Sequence, residues 1–394
     1  MIITITLNPA LDRTLRIEHP LVVGKLNRST STHLEPGGKG INVSRAVKAL
    51  GGNSIALGFT AGTNGRFMKD MLTAADIHHD FVDVAGQMRV NTQIIDAQGC
   101  HTEVNEPGSK LDDADFLRLI DRIENYLDEG NIFVLAGSTP PDFPLKNYRK
   151  LCRTIKRHGC KLIIDAQGDL LLEALQCEPD FVKPNVFELA EAVGDKPSAD
   201  PEVVVHSARK MLDMGARAVC VSMSQEGAVL VSKDEPEALY VNTNPKVYDE
   251  GAVGTGDAMV GAIANSMQSG LKFDEMARYA VATARACARL AGTEMASLKK
   301  VYEVYETTQV YVLKKNAPSA GAGEKLPPRE NANVPPFLRR RRRRREMSPI
   351  PGTGECTRRR ATGEMLPGGS RAVREGVQDT TKDVVSYTPS CDSP

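Results

Sequence analysis

Short apolar runs alternate with amphipathic stretches along the first 315 residues. Residues 2–7, 55–59, 132–135, 162–164, 181–183 and 218–222 are apolar almost throughout, the signature of strands buried on both faces. Between them, 42–50, 66–75, 112–127, 145–158, 169–175 and 201–214 carry helical patterns, and 257–267 reads as a helix of small residues. Such alternation predicts an α/β fold. Its mainly parallel central sheet carries helices on both faces, with a ligand crevice at the carboxyl ends of the strands. Two stretches, 14–34 and 90–104, break the rhythm by alternating polar with apolar residues, and predict a small antiparallel flap beside the main sheet. No internal repeat is present.

Composition changes this picture mainly at the C-terminal end. The 394 residues are 41% hydrophobic and 25% charged, ample for one large core or two medium ones. No apolar run reaches the roughly 18 to 20 residues of a membrane span, and no basic region precedes the first strand, so neither anchor nor export is expected. The eight cysteines are scattered, without C-x-x-C pairs, as in a reduced cytoplasmic protein. The net charge is zero, but from Asn316 onward 15 basic residues face 9 acidic ones, leaving 35 and 41 before it. Residues 316–394, rich in Pro, Gly, Ser, Thr and Arg, are expected to be a disordered basic tail, and 1–315 the folded domain. The seven consecutive arginines at 339–345 invite a nucleic-acid reading, yet no aromatics interleave with them, so no specific contact with nucleic acid is expected.

Two glycine segments carry the candidate chemistry. In "GAVGTGDAMVGA" (251–262), Gly254 and Gly256 let backbone N–H groups converge on an anion, and the helix that follows adds its positive dipole end. Asp257, in its first turn, is either an N-cap or a general base beside a phosphoryl group. In "PGGKGINVSRA" (36–46), Gly37, Gly38 and Gly40 allow close approach to a polar ligand, Lys39 offers a cation, and Asn42 suits a sugar hydroxyl. Neither segment is a Walker A loop or a dinucleotide fingerprint. Two anion sites sharing one acid imply a charged donor and a charged acceptor.

The pair "GGKGINVSRA" and "GAVGTGDAMVGA" resembles the two signatures of the ribokinase-like, PfkB-type sugar kinases. "TLNPALDRT" (6–14) resembles the opening of their hexose-phosphate branch, the 1-phosphofructokinase and tagatose-6-phosphate kinase group. "MRVNTQI", "TEVNEPGS", "LAGSTPPDFP", "VKPNVFELAE" and "VSMSQEGAVLV" follow in the expected order, so the resemblance spans about residues 1–312. It implies a ribokinase-like fold with the flap as a lid. Asp257 becomes the base that activates the acceptor hydroxyl, with Gly254, Thr255 and Gly256 as backbone donors to the transferred phosphoryl group. Asp12, Gly37, Gly38 and Asn42 would bind sugar hydroxyls, Lys39 and Arg89 the phosphate already on the sugar, and Glu103 and Asn105 would line the sugar side. ATP would meet Lys183, Asn185, Ser222, Ser224 and Gly227, and Asn185 with Glu188 matches the N-x-x-E motif that organises Mg2+. For Asp12, Arg89 and Asn185 the residues alone equally allow a turn, a surface charge and a helix start.

Departures from the branch fall at Gly251, Ala252, Ala258, Ser224 and Gln93, the last replacing a common lysine. No residue is assigned on the adenine side between 282 and 294. The expected activity is ATP-dependent phosphorylation of a phosphorylated ketohexose, fructose 1-phosphate first, with tagatose 6-phosphate and fructose 6-phosphate as alternatives. A homodimer through the flap follows by analogy. From another class comes a non-catalytic sugar-phosphate sensor whose basic tail associates with nucleic acid.

Overall fold

The computed structural model describes residues 1–243, 254–290 and 292–313, together with a two-residue strand at 324–325. The expected tail beyond 315 and the segment 244–253, with Gly251 and Ala252, otherwise lie outside the described residues.

Strand β1 (Ile2–Thr6) is central and buried along its whole length, as its unbroken apolar run requires. Strands β2 (Ala10–Ile17) and β3 (Ser29–Gly37), helix α1 (Lys39–Ala49), strand β4 (Ser54–Ala61) and helix α2 (Gly62–Ala74) follow, then β5 (His78–His79), β6 (Val82–Val84), β7 (Arg89–Ile95) and β8 (His101–Asn105). Next come α3 (Asp113–Glu124), β9 (Ile132–Ala136), α4 (Leu145–Arg157), β10 (Lys161–Asp165), α5 (Gly168–Leu175), β11 (Phe181–Val182), α6 (Val186–Val193), α7 (Pro201–Asp213) and β12 (Ala218–Ser222). The chain continues through β13 (Ala228–Ser232), β14 (Ala238–Thr243), α8 (Thr255–Gln268), α9 (Phe273–Ala288), α10 (Leu298–Thr307), β15 (Thr308–Leu313) and β16 (Glu324–Lys325).

The large sheet has the order β16-β15-β14-β13-β12-β11-β10-β9-β1-β4-β5, with β6 also on β4. From β12 to β5 every pairing is parallel; from β12 to β16 every pairing is antiparallel. The antiparallel wing and helices α9 and α10 went unseen in the sequence. In the wing, β13 and β14 follow β12 across the short polar segments 224–227 and 233–237, with no helix between to mark the rhythm; α9 is Ala-rich and buried on nearly every side, so it shows no amphipathic stripe.

Alternate residues of the parallel strands serve opposite layers. Ile3 and Ile5 join the layer covered by α3, α4, α5 and α7, whereas Ile2 joins the layer covered by α1, α8, α9 and α10. The second sheet, of order β3-β2-β7-β8, is the flap: two antiparallel pairs joined by a parallel β2–β7 pairing. It begins earlier than its pattern predicted. Asp12 therefore lies within β2 and Arg89 opens β7, so both belong to the flap itself.

The packing of α1 against α8 places the site. Asn42 lies against Asp257, and four residues on in each helix a Cβ at Gly261 would stand 2.8 Å from Ala46 Cβ and 3.2 Å from Val43 O. The two helices thus run parallel, in register at one-turn spacing, with backbones too close for a side chain at Gly261. Their two N-termini open on the same spot.

Candidate active site

The glycine segment ends in Gly254, left-handed at φ 81°, which caps α8. The first helical bond runs from Ala258 N–H to Gly254 O, so the amides of the preceding turn have no acceptor within the helix. Asp257 sits in that turn, 6% exposed, and accepts a 2.9 Å hydrogen bond from Asn42 Nδ2 in the first turn of α1. The two sequence signatures therefore meet. Burial, reinforced by the nearby Asp165 carboxylate, pushes the Asp257 carboxyl up to about 7; the Asn42 bond and the ammonium groups of Lys39 and Lys183 pull the other way.

Asp165 closes β10 at its carboxyl end, fully inside the protein. Lys39 Nζ stands 3.2 Å and Lys183 Nζ 3.4 Å from its Oδ1. Burial opposes the ionisation of Asp165, but the two ammonium groups outweigh it and hold the carboxyl below the ordinary carboxylate range. Burial likewise works against the charge of Lys39, yet Asp165, Asp257 and Glu188 together raise its pKa. Lys39, expected near the sugar's phosphate, is thus drawn to the acids around Asp257. Lys183, just past β11, points its ammonium over Gly256, 3.3 Å from where a Cβ would stand. Asp165 carried no motif, though an acid terminating an apolar run at a strand's carboxyl end is a signal in a parallel sheet.

The flap supplies a second group. Asp12 Oδ1 accepts a 2.9 Å bond from Asn91 Nδ2, and a Cβ at Gly37 would fall 2.3 Å from the Asp12 carboxyl carbon, so only glycine fits opposite it. Burial raises the Asp12 pKa despite Asn91 and the charges of Arg89 and Arg45. Arg89 donates to Asn8 O at 2.9 Å and Glu106 O at 3.2 Å, while its Nε is buried without a hydrogen-bond partner among the described residues. Glu103 and Asn105 lie on exposed β8, in register with Gln93 and Asn91; Gln93 pairs with His101 Nδ1 at 2.9 Å. The side chain that bonds Asp12 is that of Asn91, which lies within the "MRVNTQI" segment but has no role assigned to it there.

Just past β11, Asn185 caps α6: its Oδ1 accepts from the N–H groups of Phe187 at 2.8 Å and Glu188 at 2.9 Å, while Glu188 Oε2 accepts from Asn185 N–H at 2.9 Å. The Asn185 oxygen is thereby committed to the backbone. Glu188 keeps its other oxygen, and its charge acts on Lys39. Ser222 ends β12 and bridges to Asn185; Ser224 follows at φ 51°, and Gly227 at φ 103° closes the turn into β13. The Ser224 carbonyl accepts from Arg285 Nη2 at 3.4 Å. Ala258, the other described departure, is buried within the apolar layer of α8.

Residues 5–300 match the model of the pfkB family carbohydrate kinases. A 1-phosphofructokinase of Bacillus subtilis (strain 168) is 36% identical over 288 residues, covering 73% of this chain and 92% of that protein. A 1-phosphofructokinase of Haloferax volcanii is 33% identical over 304 residues, 76% of this chain and 95% of that protein. Among solved structures, phosphofructokinase-2 of Escherichia coli in complex with fructose-6-phosphate superposes with a TM-score of 0.72 at 29% identity, covering 77% of this chain and 98% of that one. On the family match over residues 5–300 and these identities, the chain belongs to the PfkB family of carbohydrate kinases.

Proposed function

We propose that this kinase transfers the γ-phosphoryl group of ATP to a hydroxyl of a phosphorylated ketohexose, converting fructose 1-phosphate to fructose 1,6-bisphosphate. The single observation that carries the reading is the 2.9 Å contact between Asn42 and Asp257, which joins a sugar-side glycine loop to a buried acid at a helix entrance. Asp257 takes the proton of the attacking hydroxyl. Amides of the Gly254–Thr255–Gly256 turn and the ammonium groups of Lys39 and Lys183 meet the charge on the transferring phosphate. Asp12, with Gly37 and Gly38 beside it, receives sugar hydroxyls, and the buried Nε of Arg89 is the donor we assign to the phosphate already on the sugar. Glu103 and Asn105 bound the sugar side on the flap's outer strand. The adenosine half of ATP lies along Ser222, Ser224 and Gly227.

Mg2+ fits this site through Glu188, with water between, because the Asn185 oxygen already caps α6 and one Glu188 oxygen does not. When bound it neutralises charge on the nucleotide phosphates; Asn185 contributes by fixing the helix that carries Glu188. The preference for fructose 1-phosphate over fructose 6-phosphate rests on the higher identity to relatives named 1-phosphofructokinase. A cytoplasmic setting follows from these substrates. Among the described residues no helix is long and apolar enough to cross a membrane. The flap's exposed Val23, Leu26 and Val104 suit pairing of two copies through that sheet.

The test is a panel of fructose 1-phosphate, fructose 6-phosphate, tagatose 6-phosphate, ribose and adenosine with coupled detection of ADP. Strongest turnover of fructose 1-phosphate is expected. Turnover of ribose or adenosine with none of any hexose phosphate would overturn the assignment.

A further inference from the structure

Asn42 can face Asp257 with either end of its amide, and only one end is useful. With the NH2 group toward the acid it supports the carboxylate; with the oxygen there, two acceptors would collide. What decides between them lies one turn further along α1. Arg45 Nη1 donates to Asn42 Oδ1 at 3.1 Å. A guanidinium is a donor only, so it turns the amide oxygen to itself and the NH2 group to Asp257.

Arg45 is itself held from two other segments. Its Nη2 donates to Glu35 Oε1 at 2.6 Å, and its Nη1 also donates to Thr293 Oγ1 at 2.9 Å. Thr293 Oγ1 in turn donates to Glu35 Oε2 at 2.7 Å, closing a ring of three side chains. Glu35 belongs to flap strand β3, where it is the register partner of Asp12; Thr293 follows α9. The ring is largely shielded, with the Arg45 and Glu35 side chains 16% and 13% exposed. The planar fork holds its donors in fixed directions, one nitrogen on Glu35 and the other on Asn42, an orientation that a rotating ammonium does not impose.

We propose that Arg45 is a positioning residue of this kinase: held by Glu35 and Thr293, it fixes the Asn42 amide and through it the Asp257 carboxylate. The inference rests on Asp257 being the base. It assigns to Arg45 no contact with substrate, and predicts that its effect passes wholly through Asn42.

The experiment is a double-mutant cycle on the full-length protein, with ATP and the preferred sugar phosphate. Arg45→Met is expected to lower kcat by about 10- to 100-fold, the scale of a small misplacement of reacting groups, while KM for ATP moves less than about twofold. Asn42→Ala is expected to lower kcat at least as far. The double variant is expected to be no slower than Asn42→Ala alone, because Arg45 then has no amide left to orient. Arg45→Lys should recover only part of the loss. A kcat for Arg45→Met within twofold of wild type, or losses that multiply in the double variant, would overturn the proposal. Should Arg45→Met fail to fold, the same cycle with Arg45→Lys decides by the same criterion. Asp257→Asn is run alongside: if it is inactive the base assignment stands and the cycle judges Arg45 alone, and if it retains wild-type kcat both assignments fall.

Discussion

Asp257 carries its own pH signature. Its carboxyl is raised to about 7, by burial first and Asp165 second, so the form able to accept a proton grows as pH rises through neutrality. The kcat/KM profile is therefore expected to climb between about pH 6 and 8. Asn42→Ala, which removes a bond favouring the ionised form, is expected to move that limb upward; a profile flat down to pH 5 would contradict the account. Stability has the opposite sign. Because the folded pKa lies above the ordinary carboxylate value, the native state holds a proton that the unfolded chain releases, and stability falls as pH rises from about 4 to 7. Asp257→Asn is thus expected to melt at a higher temperature than wild type at pH 8 and to lose that advantage at pH 5, measured by thermal denaturation. Ser224 tells a related story: it occupies φ 51°, where this branch of the family commonly has glycine, and Ser224→Gly is expected to raise stability by up to about 1 kcal/mol in urea denaturation. At this scale the sequence spoke where glycine and acid were adjacent in the chain, as at Gly254 and Asp257. It was silent on Asp165, Asn91 and Glu35, whose partners Lys39 and Lys183, Asp12, and Arg45 and Thr293 are brought to them only by the packing of separate elements.

Among the elements, the parallel pairing of α1 and α8 joins two separate motifs through the Asn42–Asp257 hydrogen bond. Gly261 sets their distance, since a Cβ there would meet Ala46 and the Val43 carbonyl. Gly261→Leu is expected to cost about 1–3 kcal/mol, as overpacking does, and to lower kcat together with the denaturation midpoint; a variant as stable as wild type would show that the helices have room. The onset of each helix was legible in the chain, because a glycine cluster before an apolar period marks a start. The contact between them was not, because nothing in either motif encodes the other's register. The flap was legible as alternation, but its parallel β2–β7 pairing was not, and this pairing is what draws Asp12 and Asn91 into one hydrogen bond.

For the whole molecule, the relatives leave about a quarter of this chain unmatched. They are covered over 92% and 95% of their own lengths, yet occupy only 73% and 76% of this chain. The family match itself runs over residues 5–300 and ends before the basic segment from 316 onward. We infer that residues 1–315 form the kinase domain and that the tail takes no part in turnover. A 1–315 truncation is expected to keep kcat and both KM values within twofold of the full-length protein; a tenfold loss would make the tail part of the active fold. The central claim remains the proton acceptor at the entrance to α8. Its most direct test is single-turnover phosphoryl transfer from ATP to fructose 1-phosphate by full-length Asp257→Asn, with ATP binding measured in parallel. The account requires the rate to fall by about 10²- to 10⁴-fold with nucleotide affinity nearly unchanged; transfer at the wild-type rate would contradict it.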